Sequence, residues 1–142
     1  MITKPFSETE VRKIEKELSR RTNKVRDLAL FRMGVDTMLR TSDLRNLRVQ
    51  DVLESEGEIV QRLDVKMKKT GKMASCVLDE RTQAARQHWI ASANKTHEDW
   101  LFTGRKGNQP ITDVQHRRLV NESCEMAGID GATRSTHSVR ET

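Results

Sequence analysis

The hydrophobic period of this chain is about 3.6 residues nearly everywhere and drops to two in one place, which leaves room for helices and a single hairpin. Ser7-Glu8-Thr9-Glu10 is a capping box, in which a hydroxyl and a carboxylate each satisfy an unpaired amide. It opens a helix over 7–20 with Val11, Ile14 and Leu18 on one face. Arg20–Asn23 is a polar break. A second helix runs from about 24 to 38 with the stripe Val25, Leu28, Phe31, Val35 and Met38, and reads as the central core helix. Thr41 or Ser42 can cap a short helix through about Leu47. Leu44 and Leu47 would face inward, and Arg45 and Arg48 would lie on a solvated face. Residues 63–68 then alternate apolar and polar as a half-buried strand does. Lys69-Thr70-Gly71-Lys72 supplies a turn and 74–78 a return strand. A helix over 80–93 follows, carrying Ala84, Ala85, Trp89 and Ile90. Beyond the run Trp100-Leu101-Phe102 and its loop, Thr112 caps a helix through about Ala127, which Gly128 ends. Ser135 or Thr136 opens one more. The pattern predicts an α+β fold: one mostly helical domain over 1–142 with a small antiparallel β-hairpin inserted after the second or third helix.

Charge narrows the partners. Lys and Arg number 26 against 21 Asp and Glu, giving a net charge of +5 and a pI near 9.5. Such a balance favours polyanions, nucleic acid first. No run of 18 apolar residues is present, so no membrane span is expected. The N-terminus has no apolar signal core, which argues against secretion and for a cytoplasmic protein. Cys76 and Cys124 show no metal spacing and read as two free buried thiols. His88, His97 and His116 have no ligand spacing either, so no zinc site is expected. Lys69-Thr70-Gly71-Lys72-Met73 lacks the upstream glycine and the Ser or Thr after lysine that a nucleotide-binding loop needs.

Three islands remain: Leu39-Arg40-Thr41-Ser42-Asp43-Leu44, Lys68-Lys69-Thr70-Gly71-Lys72, and Thr136-His137-Ser138-Val139-Arg140-Glu141-Thr142. Arg, Lys and His are the residues that bind and activate a phosphodiester. Arginine forks match phosphate oxygens, and lysine or histidine can protonate a departing alkoxide. Arg105-Lys106 and Arg117-Arg118 read equally as backbone-phosphate contacts or as a solvated face. Lys72 is a further phosphate candidate, and the acid at the hairpin tip could be Lys68, Lys69 or Lys72.

With these islands in this order, the chain resembles the catalytic domain of the tyrosine recombinases, the phage integrase family, from about Phe6 to Thr142. That family carries a Gly-Leu-Arg-x-Ser-Glu-Leu island after a core helix, a lysine at a hairpin turn, a Leu-Phe segment, and a His-x-x-Arg island. The resemblance implies that Arg40 and Arg140 clamp a scissile phosphate of double-stranded DNA. It makes Lys69 the general acid and has His137 assist proton transfer. A tyrosine then attacks to give a 3′-phosphotyrosine link, with no metal, ATP or other cofactor. It also implies homo-oligomers on DNA and a bacterial or phage-associated setting. Departures are Met38 where the family has Gly, Asp43 for Glu, and Glu141 after Arg140. The 142 residues contain no tyrosine, so the expectation is a catalytic domain incomplete at its C-terminus and lacking the family's N-terminal DNA-clamping domain. Such a chain supplies the phosphate-activating residues and is inactive alone. The alternative is a non-catalytic DNA-binding remnant that modulates a full-length recombinase. A third reading is a basic helical protein-interaction domain.

Overall fold

The computed structural model describes residues 4–52, 62–104, 108–131 and 134–141, apart from the side chains of Arg62, His137 and Glu141. The sequence-predicted α+β architecture is present: seven helices and a two-stranded antiparallel sheet among the described residues. Helix α1 spans Glu8–Ser19, and both arms of its capping box form: Glu10 N–H donates to Ser7 Oγ (3.1 Å) and Ser7 N–H to Glu10 Oε1 (2.9 Å). A 3-10 turn, Thr22–Lys24, leads into α2, Val25–Thr37. Short helices α3 (Thr41–Arg45) and α4 (Val49–Val52) follow, the latter not anticipated from sequence. Strands β1 (Arg62–Lys66) and β2 (Met73–Val77) pair with Lys66 opposite Met73. Then come α5 (Glu80–Ser92), α6 (Asp113–Met126) and α7 (Thr136–Glu141). The second capping box forms at Thr112 and Gln115, and Gly128 sits at φ +69° after the α6 C-cap.

Helix α2 is the hub. It packs against α1, α3, α5, α7 and β2, and Ala29, Leu30, Phe31 and Met33 are buried on it. The stripe read from the sequence needs correction. Val25, Leu28 and Val35 are only half-buried and Met38 is exposed, because a helix enclosed by neighbours on several sides has no single apolar face. Around it, Ile14, Leu18, Leu44, Leu47, Leu63, Leu78, Leu101 and Phe102 complete one core. Each such side chain contributes about 1.5–3 kcal/mol on burial. The hairpin turns Leu63 inward and leaves Asp64, Lys66, Met73, Ser75 and Val77 outward, as period two requires.

Polar contacts explain two further features of the packing, the second of which corrects the sequence reading. On α5 the deeply buried residues are Thr82 and Arg86, while Ala84 is exposed and Ala85, Trp89 and Ile90 are half-buried. The helix docks through a polar seam. Arg32, buried on α2, donates to Thr82 Oγ1 (3.1 Å), Glu15 Oε1 (2.7 Å) and Asp36 Oδ1 (2.9 Å), and Thr82 Oγ1 donates to Asp36 Oδ2 (2.6 Å). Nor are Arg45 and Arg48 solvated. Arg45 reaches Asp113 Oδ1 (3.4 Å), and Arg48 lies over the Trp100 ring (3.9 Å) while donating to the Glu98 carbonyl (2.6 Å). A hydropathy pattern does not register polar side chains that satisfy one another. Of the thiols, Cys124 is buried but Cys76 is only half-buried; both are free.

Candidate phosphate-binding site

The site is assembled at the C-terminal end of α2. The chain leaves that helix through Met38 in the left-handed region (φ +54°, ψ 19°), a conformation that favours glycine. Leu39 then plugs the core, and Arg40 adopts extended backbone (φ −59°, ψ 147°) as the N-cap of α3. Thr41 and Ser42 are therefore the first residues of that helix rather than its cap, and no side chain caps it. The Arg40 carbonyl accepts from Leu44 N–H (2.9 Å), which fixes the residue's direction. Its guanidinium is partly enclosed: Nη1 is buried with no hydrogen-bond partner among the described residues. A buried, unpaired donor costs about 1–3 kcal/mol, more when charged, so such a group is poised for an external acceptor.

The second island comes to the same place through α7, which packs on α2 and α3. Ser135 N–H donates to Ser138 Oγ (3.0 Å) at its start. Arg140 Nε donates to the Met38 carbonyl (3.0 Å), so the second arginine is tied two residues from the first. His137 lies within α7, but its side chain is outside the described residues.

The third island arrives through the hairpin. Gly71 at φ +70° closes the turn, with Gly71 N–H donating to the Met67 carbonyl and Met67 N–H to the Lys72 carbonyl, both 2.8 Å. The tip is anchored by Asp43, a buried residue of α3, whose Oδ1 accepts from Lys68 N–H (3.1 Å). Sequence reading did not find this role for Asp43. Lys68, Lys69 and Lys72 are all exposed there, and none is in an ion pair with the described residues. No contact among the described residues joins the remaining basic candidates to Arg40 or Arg140. Arg117 is engaged by Asp113 (2.8 Å), Arg118 is exposed on α6, and Arg105 and Lys106 lie outside the described residues.

Burial also tunes His116 on α6, beside Arg45 and Asp113. His116 is 2% exposed, and burial, reinforced by Arg45, lowers its pKa to about 4, so it is neutral at pH 7. Among the described residues no group of three His, Cys, Asp or Glu side chains is placed to hold a metal ion, and no helix is long and apolar enough to cross a membrane.

Two hydrogen bonds thus tie α7 to the α2–α3 turn and the hairpin tip to α3, on either side of Arg40 in the chain. Solved structures share the fold. The XerA recombinase matches at TM-score 0.76 with 21% identity over 99% of this chain and 48% of its own. XerH site-specific recombinase, bound to its difH substrate in a pre-cleavage complex, matches at 0.75 with 17% identity over 99% and 42%. In sequence, the chain is 26% identical over 117 residues to the probable integrase/recombinase YoeC of Bacillus subtilis (strain 168), covering 82% of this chain and 60% of that protein. The chain thus spans less than two thirds of the length of each. The model of the phage integrase family matches residues 4–142, nearly the whole chain, and the protein belongs to that family.

Proposed function

We propose that these residues form the phosphate-activating core of a site-specific tyrosine recombinase acting on double-stranded DNA. The observation that carries this reading is the pairing of Arg40, with a buried unsatisfied Nη1, and Arg140, tied to the carbonyl of Met38. In this reading both guanidiniums hold the two non-bridging oxygens of one phosphate and stabilise the extra charge of its pentavalent state. A stabiliser of that kind is worth about 10²–10³ in rate. A tyrosine hydroxyl passes its proton to His137 as its oxygen bonds to phosphorus, the bond to the 5′-oxygen breaks, and Lys69 gives its proton to that oxygen. The new ester conserves the energy of the old one, so a second DNA end reverses the step. Since the 142 residues contain no tyrosine, the nucleophile comes from outside them, and this chain alone does not cleave. We take residues 1–142 as a catalytic domain that assembles as a homo-oligomer on DNA with its family's other parts.

The lack of tyrosine also favours a second reading, a non-catalytic DNA-binding modulator of a full-length recombinase. A nicked duplex trapped with a tyrosine-bearing relative separates the two. Covalent adduct that rises on adding this chain and is lost with Arg40→Ala supports the catalytic reading. Binding to duplex without any such rise supports the modulator, and no duplex binding at all contradicts both.

A further inference from the structure

We infer that Gly34 is a positioning residue for Arg140, acting through the seat it gives α7; this rests on the clamp reading above. Gly34 lies on α2 four residues, about one turn, before the C-cap Met38. On α7, Val139 and Arg140 are neighbours. Each pair makes one contact. A Cβ built on Gly34 would stand 2.7 Å from Val139 Cγ1 and 3.4 Å from Leu44 Cδ2, and the Met38 carbonyl accepts from Arg140 Nε at 3.0 Å. A bare glycine surface therefore sets how closely α7 approaches, and a main-chain carbonyl sets the rotation of the guanidinium. Gly34 is helical, and no left-handed backbone calls for glycine there. In a helix interior glycine is costly against alanine, so the missing methyl is explained by the approach it allows.

Val139 has little room to yield. It is 3% exposed, and its β-branched side chain has one strongly preferred rotamer in a helix. A methyl at 34 accordingly pushes α7 outward by several tenths of an ångström, given the overlap at 2.7 Å. That displacement stretches the Arg140–Met38 bond and separates the two arginines. Loss of a hydrogen bond to a charged group weakens binding about 10–100-fold, so loosening the phosphate contact of Arg140 is expected to cost about tenfold in affinity.

The experiment compares the full chain with Gly34→Ala, Val139→Ala and the double variant. Binding to a fluorescent 30-base-pair duplex is read by anisotropy, and the Arg140 Nε–H resonance is followed by NMR without DNA. The expected result is about tenfold weaker binding and a solvent-exchanging Arg140 Nε–H in Gly34→Ala. Both should recover in Gly34→Ala/Val139→Ala, where the added methyl takes the space vacated on α7. Val139→Leu presses the same contact from the other side and replaces Gly34→Ala if that variant fails to fold. Unchanged binding and an unchanged resonance in the pressed variants overturn the inference, as does a double variant that regains the resonance without regaining affinity. Arg40→Ala and Arg140→Ala are measured alongside. If those two bind DNA normally, the clamp reading itself has failed; if they lose affinity while Gly34→Ala does not, only the positioning role has failed.

Discussion

Met38 holds a backbone conformation that any side chain strains, at the turn that delivers both arginines. Replacing it with alanine and with glycine separates side chain from backbone. Met38→Ala removes a side chain that is 60% exposed, so the loss of burial is modest. The step from alanine to glycine then isolates the left-handed backbone. Strain relief there is worth about 1–2 kcal/mol, less the extra freedom of glycine in the unfolded chain, about 0.4–1 kcal/mol. Glycine at 38 should therefore exceed alanine by about 0.5–1 kcal/mol, or about 2–4 °C in Tm for a chain of this size. The sign is the informative part. Ala84, exposed in the middle of α5, should lose about 1 kcal/mol when changed to glycine. Thermal and urea unfolding followed by circular dichroism measure both. Since the carbonyl of residue 38 persists in every variant, the tie to Arg140 should survive in the stabilised one. A Met38→Gly protein no more stable than Met38→Ala would refute the argument that this turn is strained.

Three other outcomes are expected. Asp43→Ala should free the Lys68 amide, which hydrogen exchange would show as loss of protection, and should cost about 1–3 kcal/mol for the donor left unpaired. His116 makes stability depend on acid. Its folded pKa, about 4, lies below the unfolded value, so the unfolded chain takes up the proton first; stability is full above about pH 6.5 and falls by about 3 kcal/mol as pH drops toward 4. His116→Gln should flatten that part of the urea-unfolding profile between those pH values. Burial raises the Cys124 thiol to about 11 and raises Cys76 as well, but Cys124 lies deeper. A thiol reagent at pH 8 should thus label Cys76 first and reach Cys124 only on unfolding, monitored by absorbance.

Local chemistry made much of the fold legible. Ser7 with Glu10, and Thr112 with Gln115, mark helix starts because the capping groups lie three residues apart in sequence. The hairpin showed in the alternation from Leu63 and in Gly71, whose positive φ closes the turn. Arg32 and Arg86 were invisible as core residues, since their burial depends on partners and packing supplied from distant parts of the chain. The same holds at the site. The three islands were recognisable as residue types in order, but Lys68 N–H meets Asp43 across 25 positions and Arg140 meets Met38 across 102. Contacts of that separation leave no periodic trace. Met38 could be noted as an unusual residue for its place, yet only the backbone reveals that its carbonyl is the holder of the second arginine.

The central claim is that Arg40 and Arg140 engage one phosphate between them. Its direct test is the salt dependence of duplex binding by the parent, both single alanine variants and the double variant. Each phosphate contact adds about 0.9 to the slope of log K against log salt. A shared phosphate predicts that the double variant lowers the slope by about 0.9 in all, each single variant by no more than that since one arginine can still neutralise the phosphate, with non-additive losses of affinity. Slopes that fall by about 1.8 in the double variant, or that do not change in any, would contradict the clamp.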